Sequence, residues 1–177
     1  MLRLLKLALF TIAIVFSSLK GQAQDFEFTQ NKIEAVYIYN FIKFTNWPHT
    51  SENFVIAVVG KDGLTDHLKE LSQNKTANGR PIEVKELEPG KFDAAVDLVF
   101  VENVNTRNIE ELMKQYRDNQ TMIFTHDPEG LQKGSCVNFQ ESGNRVKFEI
   151  NFACLTQMNI QIASKLKSFA TNFNEDA

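Results

Sequence analysis

The chain lacks the charge pattern of a nucleic-acid-binding protein. Its 19 basic residues are outnumbered by 22 acidic ones, and no cluster of lysine and arginine interleaved with aromatic residues occurs along the 177 residues. Binding to a phosphate backbone requires positive charge presented together on one surface. The composition therefore excludes nucleic acid as a partner.

Motifs of the common enzyme classes are also missing. The stretch GKDGLTD (60–66) has neither the GxGxxG spacing of a dinucleotide fold nor the GK[ST] ending of a phosphate-binding loop. No GxSxG nucleophile elbow occurs. The three histidines, His49, His67 and His126, share no ligand-type spacing with each other or with the cysteines. No catalytic residue, metal site or cofactor is predicted.

Long hydrophobic runs are absent too, apart from one near the N-terminus. There, Arg3 and Lys6 precede an apolar run over 7–16, which is shorter than the roughly 20 residues that span a bilayer. The small residues Gly21 and Ala23 follow, as at a signal peptidase site. We predict a cleaved signal peptide at 1–23, with a retained anchor as the alternative. Its removal takes three of the 19 basic residues and no acidic one, which changes the net charge from −3 to −6.

No internal repeat and no linker rich in proline, glycine or serine divides the remaining chain. Residues 24–173 are therefore predicted to form a single domain, and 174–177 a short solvated tail. A domain of this size can bury about two-thirds of the surface of its unfolded chain. One hydrophobic core should therefore be enough to stabilise the domain.

Helices and strands are predicted to alternate along this domain. The expected helices cover 32–46, 62–73, 105–119 and about 154–170, and the expected strands cover 54–60, 81–87, 96–101 and 121–125. Strands that alternate with helices imply right-handed crossovers and parallel pairing. The predicted fold is α/β: a three-layer sandwich with a mostly parallel sheet, helices on both faces, and a C-terminal antiparallel hairpin followed by a helix.

Two of these helices have a predicted inward stripe. In the first it is Ile33, Val36, Tyr37, Phe41 and Phe44. In the last it is Leu155, Met158, Ile162, Leu166 and Phe169. Ile38 and Ile42 lie off the first stripe, so the first helix is apolar on nearly every side, and such a helix is either deep in a core or covered by something else.

The hairpin is predicted from CVNFQESGNRVKFEIN, which begins at Cys136. A turn at 141–144 would place Val137 opposite Phe148 and Phe139 opposite Val146.

Cysteine is scarce, because Cys136 and Cys154 are the only two. In the predicted register Cys136 faces Glu149, and Cys154 lies beyond the hairpin. A disulfide would require the chain to fold back after Asn151. An exported protein can form one, so a bridge and two separate thiols both remain open.

Ligands of α/β folds bind beyond the carboxyl ends of the strands. The candidate ligand loops there are Lys61 and Asp62 after one strand and His126 and Asp127 after another. A histidine with an orienting carboxylate can act as a general base, but neighbouring residues at a strand end point to opposite sides. The alternative is an Asp-Pro turn with a surface histidine.

The aromatic stretch YIYNFIKFTNWP (37–48) ends the first helix. Its residues either pack and cap the domain or form one face of an interaction surface, since aromatics are enriched in the centres of interfaces. A helix lying on a membrane is a third alternative, for which a single lysine gives too little charge. The candidate interaction residues are Tyr37, Tyr39, Asn40, Lys43 and Trp47.

Several segments together resemble the YfiR-like family of bacterial periplasmic proteins. They are KIEAVYIYNFIKFTNWP, the following strand with Gly-x-Asp at its end, NGRPI (78–82), VDLVFV (96–101), Gly130-x-x-x-Gly134 before CVNF, and GNRVKFEINFACLTQMNIQIASKLKSFA (143–170). They occur in the expected order over nearly the whole mature chain.

The resemblance implies an exported periplasmic domain without enzymatic activity or cofactor. Family members repress a membrane diguanylate cyclase by binding its periplasmic sensor domain, which limits cyclic-di-GMP synthesis and biofilm formation. Other members resemble sensory inputs of histidine kinases, so a small-molecule-binding sensor is the alternative. Redox control through disulfides occurs in the family, with more cysteines than the two here. A homodimer is a further candidate assembly, and no direct membrane insertion is expected after signal cleavage.

Overall fold

A mostly parallel sheet forms the middle layer of the domain. The computed structural model describes residues 29–48, 51–60, 62–102, 108–142 and 145–174; the predicted signal peptide at 1–23 lies outside them. The strands are β1 (Thr45–Asn46), β2 (Phe54–Val59), β3 (Thr76–Ala77), β4 (Arg80–Leu87), β5 (Leu98–Val101), β6 (Met122–Thr125), β7 (Val137–Ser142), β8 (Arg145–Asn151), β9 (Gln161–Ile162) and β10 (Ala170–Asn174). Eight of them form one sheet in the order β10-β8-β7-β6-β5-β2-β4-β3. Only the β7/β8 and β3/β4 pairs of that sheet are antiparallel.

Helices cover both faces of this sheet. They are α1 (29–43), α2 (Asp62–Ser72), α3 (Ile109–Asp118), α4 (Phe152–Gln157) and α5 (Ser164–Lys167). One hydrophobic cluster packs α1 and α2 on the first face, and a second packs α3 on the other. The predicted three-layer α/β architecture is confirmed.

The three central strands β2, β5 and β6 are buried along their whole length. Each is a continuous run of apolar residues or threonine, which is what a parallel strand covered on both faces requires. In contrast, β8 alternates exposed and buried positions. Its sequence RVKFEIN shows the same alternation, so the pattern of hydrophobic residues decides which strands lie in the middle of the sheet.

The predicted inward stripe of α1 is confirmed in part. Phe41 is fully buried, and Ile33, Tyr37 and Phe44 pack on the core, but Val36 is 43% exposed. The other fully buried apolar positions of the helix are Ala35, Ile38 and Ile42, which lie off the predicted stripe. The helix is apolar on nearly every side, so spacing alone does not determine which side faces the sheet.

The end of α1 also differs from the prediction. The helix runs to residue 43 instead of 46, and Thr45 and Asn46 form β1, which pairs with β9. Thr45 lies opposite Ile162, and the Ala163 N–H donates to the Phe44 carbonyl over 3.0 Å. The C-terminal segment thus ends α1 by pairing with the residues that follow it.

The hairpin forms, but its register differs from the prediction by two residues. Val137 lies opposite Ile150, and Phe139 lies opposite Phe148. A shift of two keeps every side chain on its original face, so the alternation of apolar residues does not distinguish the two registers. Residues 143 and 144, at the turn, are outside the described part of the chain.

The long final helix predicted over about 154–170 is wrong. The segment divides into α4, β9, α5 and β10. Asn159 has φ +53°, in the left-handed region, which ends the helical path after α4. Phe169, expected to point inward, is 54% exposed, and Ile162 belongs to β9.

A disulfide joins Cys136 to Cys154, whose Cα atoms are 5.3 Å apart. The chain folds back after β8 because Asn151 caps α4: its Oδ1 accepts the Cys154 N–H over 3.1 Å. One short turn of helix thereby returns Cys154 to the start of β7. The bridge closes a loop of 18 residues that contains the hairpin.

Loss of this bridge is expected to lower the free energy of unfolding by about 3 kcal/mol, because the loop gains entropy in the unfolded chain. The double variant Cys136→Ser/Cys154→Ser and the reduced wild type should show the same loss in urea unfolding. Trp47, the only tryptophan of the chain and a buried one, supplies the fluorescence signal. Equal midpoints for oxidised and reduced protein would contradict the expected contribution.

Candidate functional site

The solvent-facing side of α1 carries one apolar side chain, Val36, between two lysines. Lys32, Val36 and Lys43 are exposed and lie four and seven residues apart, so they share one side of the helix. Because the buried side is defined by Phe41 and its neighbours, this side faces solvent. Val36 is one of the few large apolar side chains of the described residues that is more than a third exposed.

A shallow cleft of about 240 Å³ lies between α1 and α2. Its lining is mixed, with apolar and charged groups: Lys32, Val36, His67, Glu70, Leu71, Asn74 and Lys75. Beside it, the ammonium of Lys75 lies 5.1 Å from the centre of the Tyr39 ring, a cation–π distance.

A second cleft of about 200 Å³ lies between α1 and α5, on the other side of Val36. Its lining residues are Tyr37, Asn40, Phe44, Lys165, Leu166 and Phe169. The Phe44 ring has Lys43 Nζ at 5.3 Å and Lys165 Nζ at 5.7 Å. We call the surface formed by Val36, Tyr37, Phe44 and Phe169, with Lys32, Lys43 and Lys165 at its rim, the α1 face.

The predicted interaction residues divide into surface and core groups. Lys43 is exposed, and Tyr37, Tyr39 and Asn40 are half-buried. Trp47 is 7% exposed; its indole N–H donates to the Ile42 carbonyl over 3.0 Å, and its ring meets Phe54 edge to face at 4.7 Å. Trp47 therefore supports the end of α1 from inside, and its neighbours on α1 form the surface.

The structure pairs His126 with residues of α1. His126 Nδ1 lies 2.6 Å from Glu34 Oε1 and 2.8 Å from Gln30 Nε2, and Gln30 donates to the same Glu34 oxygen over 3.1 Å. Glu34 is fully buried. This polar cluster fixes the start of the described part of α1 against the carboxyl end of β6.

Asp127 stabilises a turn. Its Oδ1 accepts the Glu129 N–H over 2.9 Å, across Pro128, and its own N–H donates to Asn138 Oδ1 over 3.2 Å. The Asp-Pro turn foreseen as the alternative forms, but its surface histidine does not, because the His126 side chain is 15% exposed and pairs with Glu34. Lys61 and the side chain of Asp62 lie outside the described part of the structure.

Glu34 was missed by the sequence reading, although a signal for it exists. Gln30 and Glu34 lie four residues apart and continue the row of Ile38, Phe41 and Ile42 along the helix. Polar residues in line with a buried row require polar partners. The distant partner is one residue, His126, which lies 92 residues after Glu34 and 96 after Gln30, so no local pattern contains it.

Comparisons with known proteins agree with this three-layer α/β architecture. The YfiR/HmsC-like family matches residues 31–171, and the chain belongs to that family. Its members are periplasmic regulators, not catalysts. No curated protein matches the chain.

Two solved structures align with the chain at low sequence identity, and the first of them supports the fold. A conserved domain protein from Vibrio cholerae O1 biovar El Tor is 12% identical with a TM-score of 0.53; the match covers 81% of this chain and 60% of that one. An ABC domain in complex with L-Trp from Streptococcus pneumonia is 10% identical with a TM-score of 0.48, over 68% of this chain and 56% of that one. The chain thus spans less than two-thirds of either protein.

The described residues contain neither a membrane-spanning helix nor a cluster of metal-binding side chains. No helix there is long and apolar enough to cross a bilayer. No group of three histidine, cysteine, aspartate or glutamate side chains in that part could hold a metal ion.

Proposed function

We propose that the chain is an exported, non-enzymatic regulator that binds the periplasmic sensor domain of a membrane diguanylate cyclase. In this role it limits cyclic-di-GMP synthesis and biofilm formation. Membership of a family of periplasmic regulators supports the proposal, as does the predicted signal peptide at 1–23. The alternative partner is the periplasmic domain of a histidine kinase.

The observation that carries the proposal is the α1 face. Phe169 is 54% exposed and Val36 is 43% exposed, on either side of half-buried Tyr37 and Phe44. Apolar side chains grouped in this way, with aromatic residues among them, are typical of the centre of a protein interface.

The rim of the α1 face indicates the chemistry of the partner. Lys32, Lys43 and Lys165 are all exposed and surround the apolar centre. The mature chain as a whole is acidic, so this local positive charge is distinctive. We expect an apolar patch with acidic residues around it on the partner, and an association rate that falls as salt is added.

Replacing Val36 or Phe169 by aspartate is expected to weaken binding to the sensor domain about 30-fold, which is about 2 kcal/mol, because each places a charge in the apolar centre of the interface. Cells that carry the cyclase should then contain more cyclic-di-GMP than with the wild-type chain. Binding is measured with the purified periplasmic domain of a membrane diguanylate cyclase from the same organism, and cyclic-di-GMP is measured in cell extracts.

Phe92→Asp is the matched control. Phe92 is 40% exposed and packs on Tyr116 of α3, on the opposite face of the sheet. The Phe92→Asp variant should leave both the binding to the sensor domain and the repression of the cyclase unchanged. Repression that survives Val36→Asp and Phe169→Asp, with all three variants folded, would remove the α1 face from the proposal.

The polar cluster of His126, Glu34 and Gln30 favours a second candidate, a small-molecule sensor that works with a histidine kinase. It lies at the carboxyl end of β6, at the sheet edge where α/β folds bind ligands, and His126 is followed directly by the predicted loop residue Asp127. This function predicts a metabolite that raises the melting temperature of wild type but not of His126→Ala. A screen in which no compound does so would remove it.

A further inference from the structure

Strand β4 has an open edge in the described part of the chain. It pairs with β2 from Ile82 to Leu87, and on its other side β3 pairs only with Pro81 and Arg80. No described residue pairs with that second side of Ile82–Leu87. An edge of this length can accept a further strand through backbone hydrogen bonds.

The side chains along this edge alternate in charge on one face. Glu83 and Lys85 are two residues apart, so they point to the same side of the sheet, and their side chains are 45% and 32% exposed. Lys85 Nζ lies 3.8 Å from Glu83 Oε1 and 3.3 Å from Asp93 Oδ2. The Ala95 N–H donates to Asp93 and holds the pKa of that carboxyl below its usual range, so Asp93 stays ionised.

We propose that residues 82–86 pair antiparallel with the same residues of a second copy of this chain, about a two-fold axis at Val84. In this register Glu83 of each copy lies opposite Lys85 of the other. Two opposite-charge pairs then flank the axis on the same face of a continuous sheet, and Val84 faces Val84 on the other side.

Neighbouring registers are disfavoured by charge. In an antiparallel pair, two residues that face each other direct their backbone N–H and C=O groups either both toward the partner strand or both away from it. A neighbouring register of two identical strands is therefore reached by moving the two-fold axis along the strand by one residue. An axis at Glu83 sets two glutamates opposite each other, and an axis at Lys85 sets two lysines opposite each other. Like charges directly opposite destabilise a sheet. Only the axis at Val84 pairs both charges with their opposites.

The length of the paired segment is also limited. Beyond Ile82 the edge is occupied, because Thr76 of β3 lies opposite Pro81. Leu87 of the second copy would have to take that place, so the pairing ends at five residues in each copy. Charged residues at sheet edges commonly prevent association, but a glutamate and a lysine in this order are complementary to themselves.

The test measures self-association of the purified chain by sedimentation equilibrium over a range of concentrations. Wild type is expected to dimerise. Glu83→Lys alone and Lys85→Glu alone should each raise the dimer dissociation constant about tenfold or more, because each creates two like-charge pairs. The double variant Glu83→Lys/Lys85→Glu should restore the wild-type constant.

Glu141→Lys and Lys147→Glu are the matched controls. Both residues are exposed, on β7 and β8, and β7 lies four strands from β4 in the sheet. They should leave the dissociation constant unchanged. A monomer at every concentration overturns the proposal, and so does a dimer that is insensitive to the single charge reversals. The result does not depend on the cyclase, so it stands apart from the proposed function.

Discussion

Phe41→Ala is expected to lower the free energy of unfolding by about 3–5 kcal/mol. Phe41 is fully buried, and its ring meets Phe124 of β6 at 5.2 Å and Phe148 of β8 at 5.1 Å, edge to face in both cases. The alanine would leave a cavity between α1 and two strands that cannot close without moving the helix. Urea unfolding followed by the fluorescence of Trp47 measures the loss.

Val36→Ala is the control on the same helix. Val36 is 43% exposed, so its truncation should change the free energy of unfolding by less than about 0.5 kcal/mol. Comparable losses for Val36→Ala and Phe41→Ala would mean that α1 is rotated and that Val36 is internal. The α1 face would then be part of the core, and the proposed docking to a sensor domain would lose its surface.

Most of the sheet could be predicted because burial on two sides leaves a direct mark on the sequence. The segments FVIAVV and LVFV contain no polar residue, and both are central strands. The α1 stretch has apolar residues on nearly every side, so its spacing orients it less well. The sequence predicted Phe41 inward, as it is found, and also Val36, which is 43% exposed.

The C-terminal segment shows the limit of helical periodicity. Leu155, Met158, Ile162 and Leu166 have helical spacing, yet Ile162 lies in β9 opposite Thr45. That pairing joins residues that are 117 positions apart in the chain. A prediction from local spacing cannot include such a contact, and it therefore assigns the segment to a helix. The break in the helix also brings Phe169 to the surface beside α1.

The candidate site was predictable in part. The aromatic stretch at 37–48 contains four residues that reach the surface, Tyr37, Tyr39, Asn40 and Lys43, and one that does not, Trp47. The composition pointed to this region. Which of its residues reach the surface depends on the side of α1 that faces the sheet and on the hydrogen bond from Trp47 to the Ile42 carbonyl. Phe169 and Lys165 join the site from a different segment.

Asp97→Ala is expected to lower the free energy of unfolding by about 3–5 kcal/mol, because it removes one partner of a buried ion pair. Asp97 Oδ2 accepts from Arg80 Nη2 and from the Val55 N–H, each over 2.8 Å, and the two charged side chains are 6% and 13% exposed. The carboxylate thus joins β4 to β2 just before β5. Its loss leaves the guanidinium of Arg80 inside the domain without that carboxylate.

Asp93→Ala separates this effect from the simple loss of an acidic residue. The Asp93 carboxylate is 29% exposed and pairs with Lys85 near the surface, so its removal should cost about 1 kcal/mol or less. The free energies of unfolding lost in Asp97→Ala and in Asp93→Ala can then be compared. Their ratio measures how much burial strengthens a carboxylate contact in this domain. Equal losses would show that the Arg80–Asp97 pair is screened by water as a surface pair is, and that β4 is held to β2 by its backbone ladder alone.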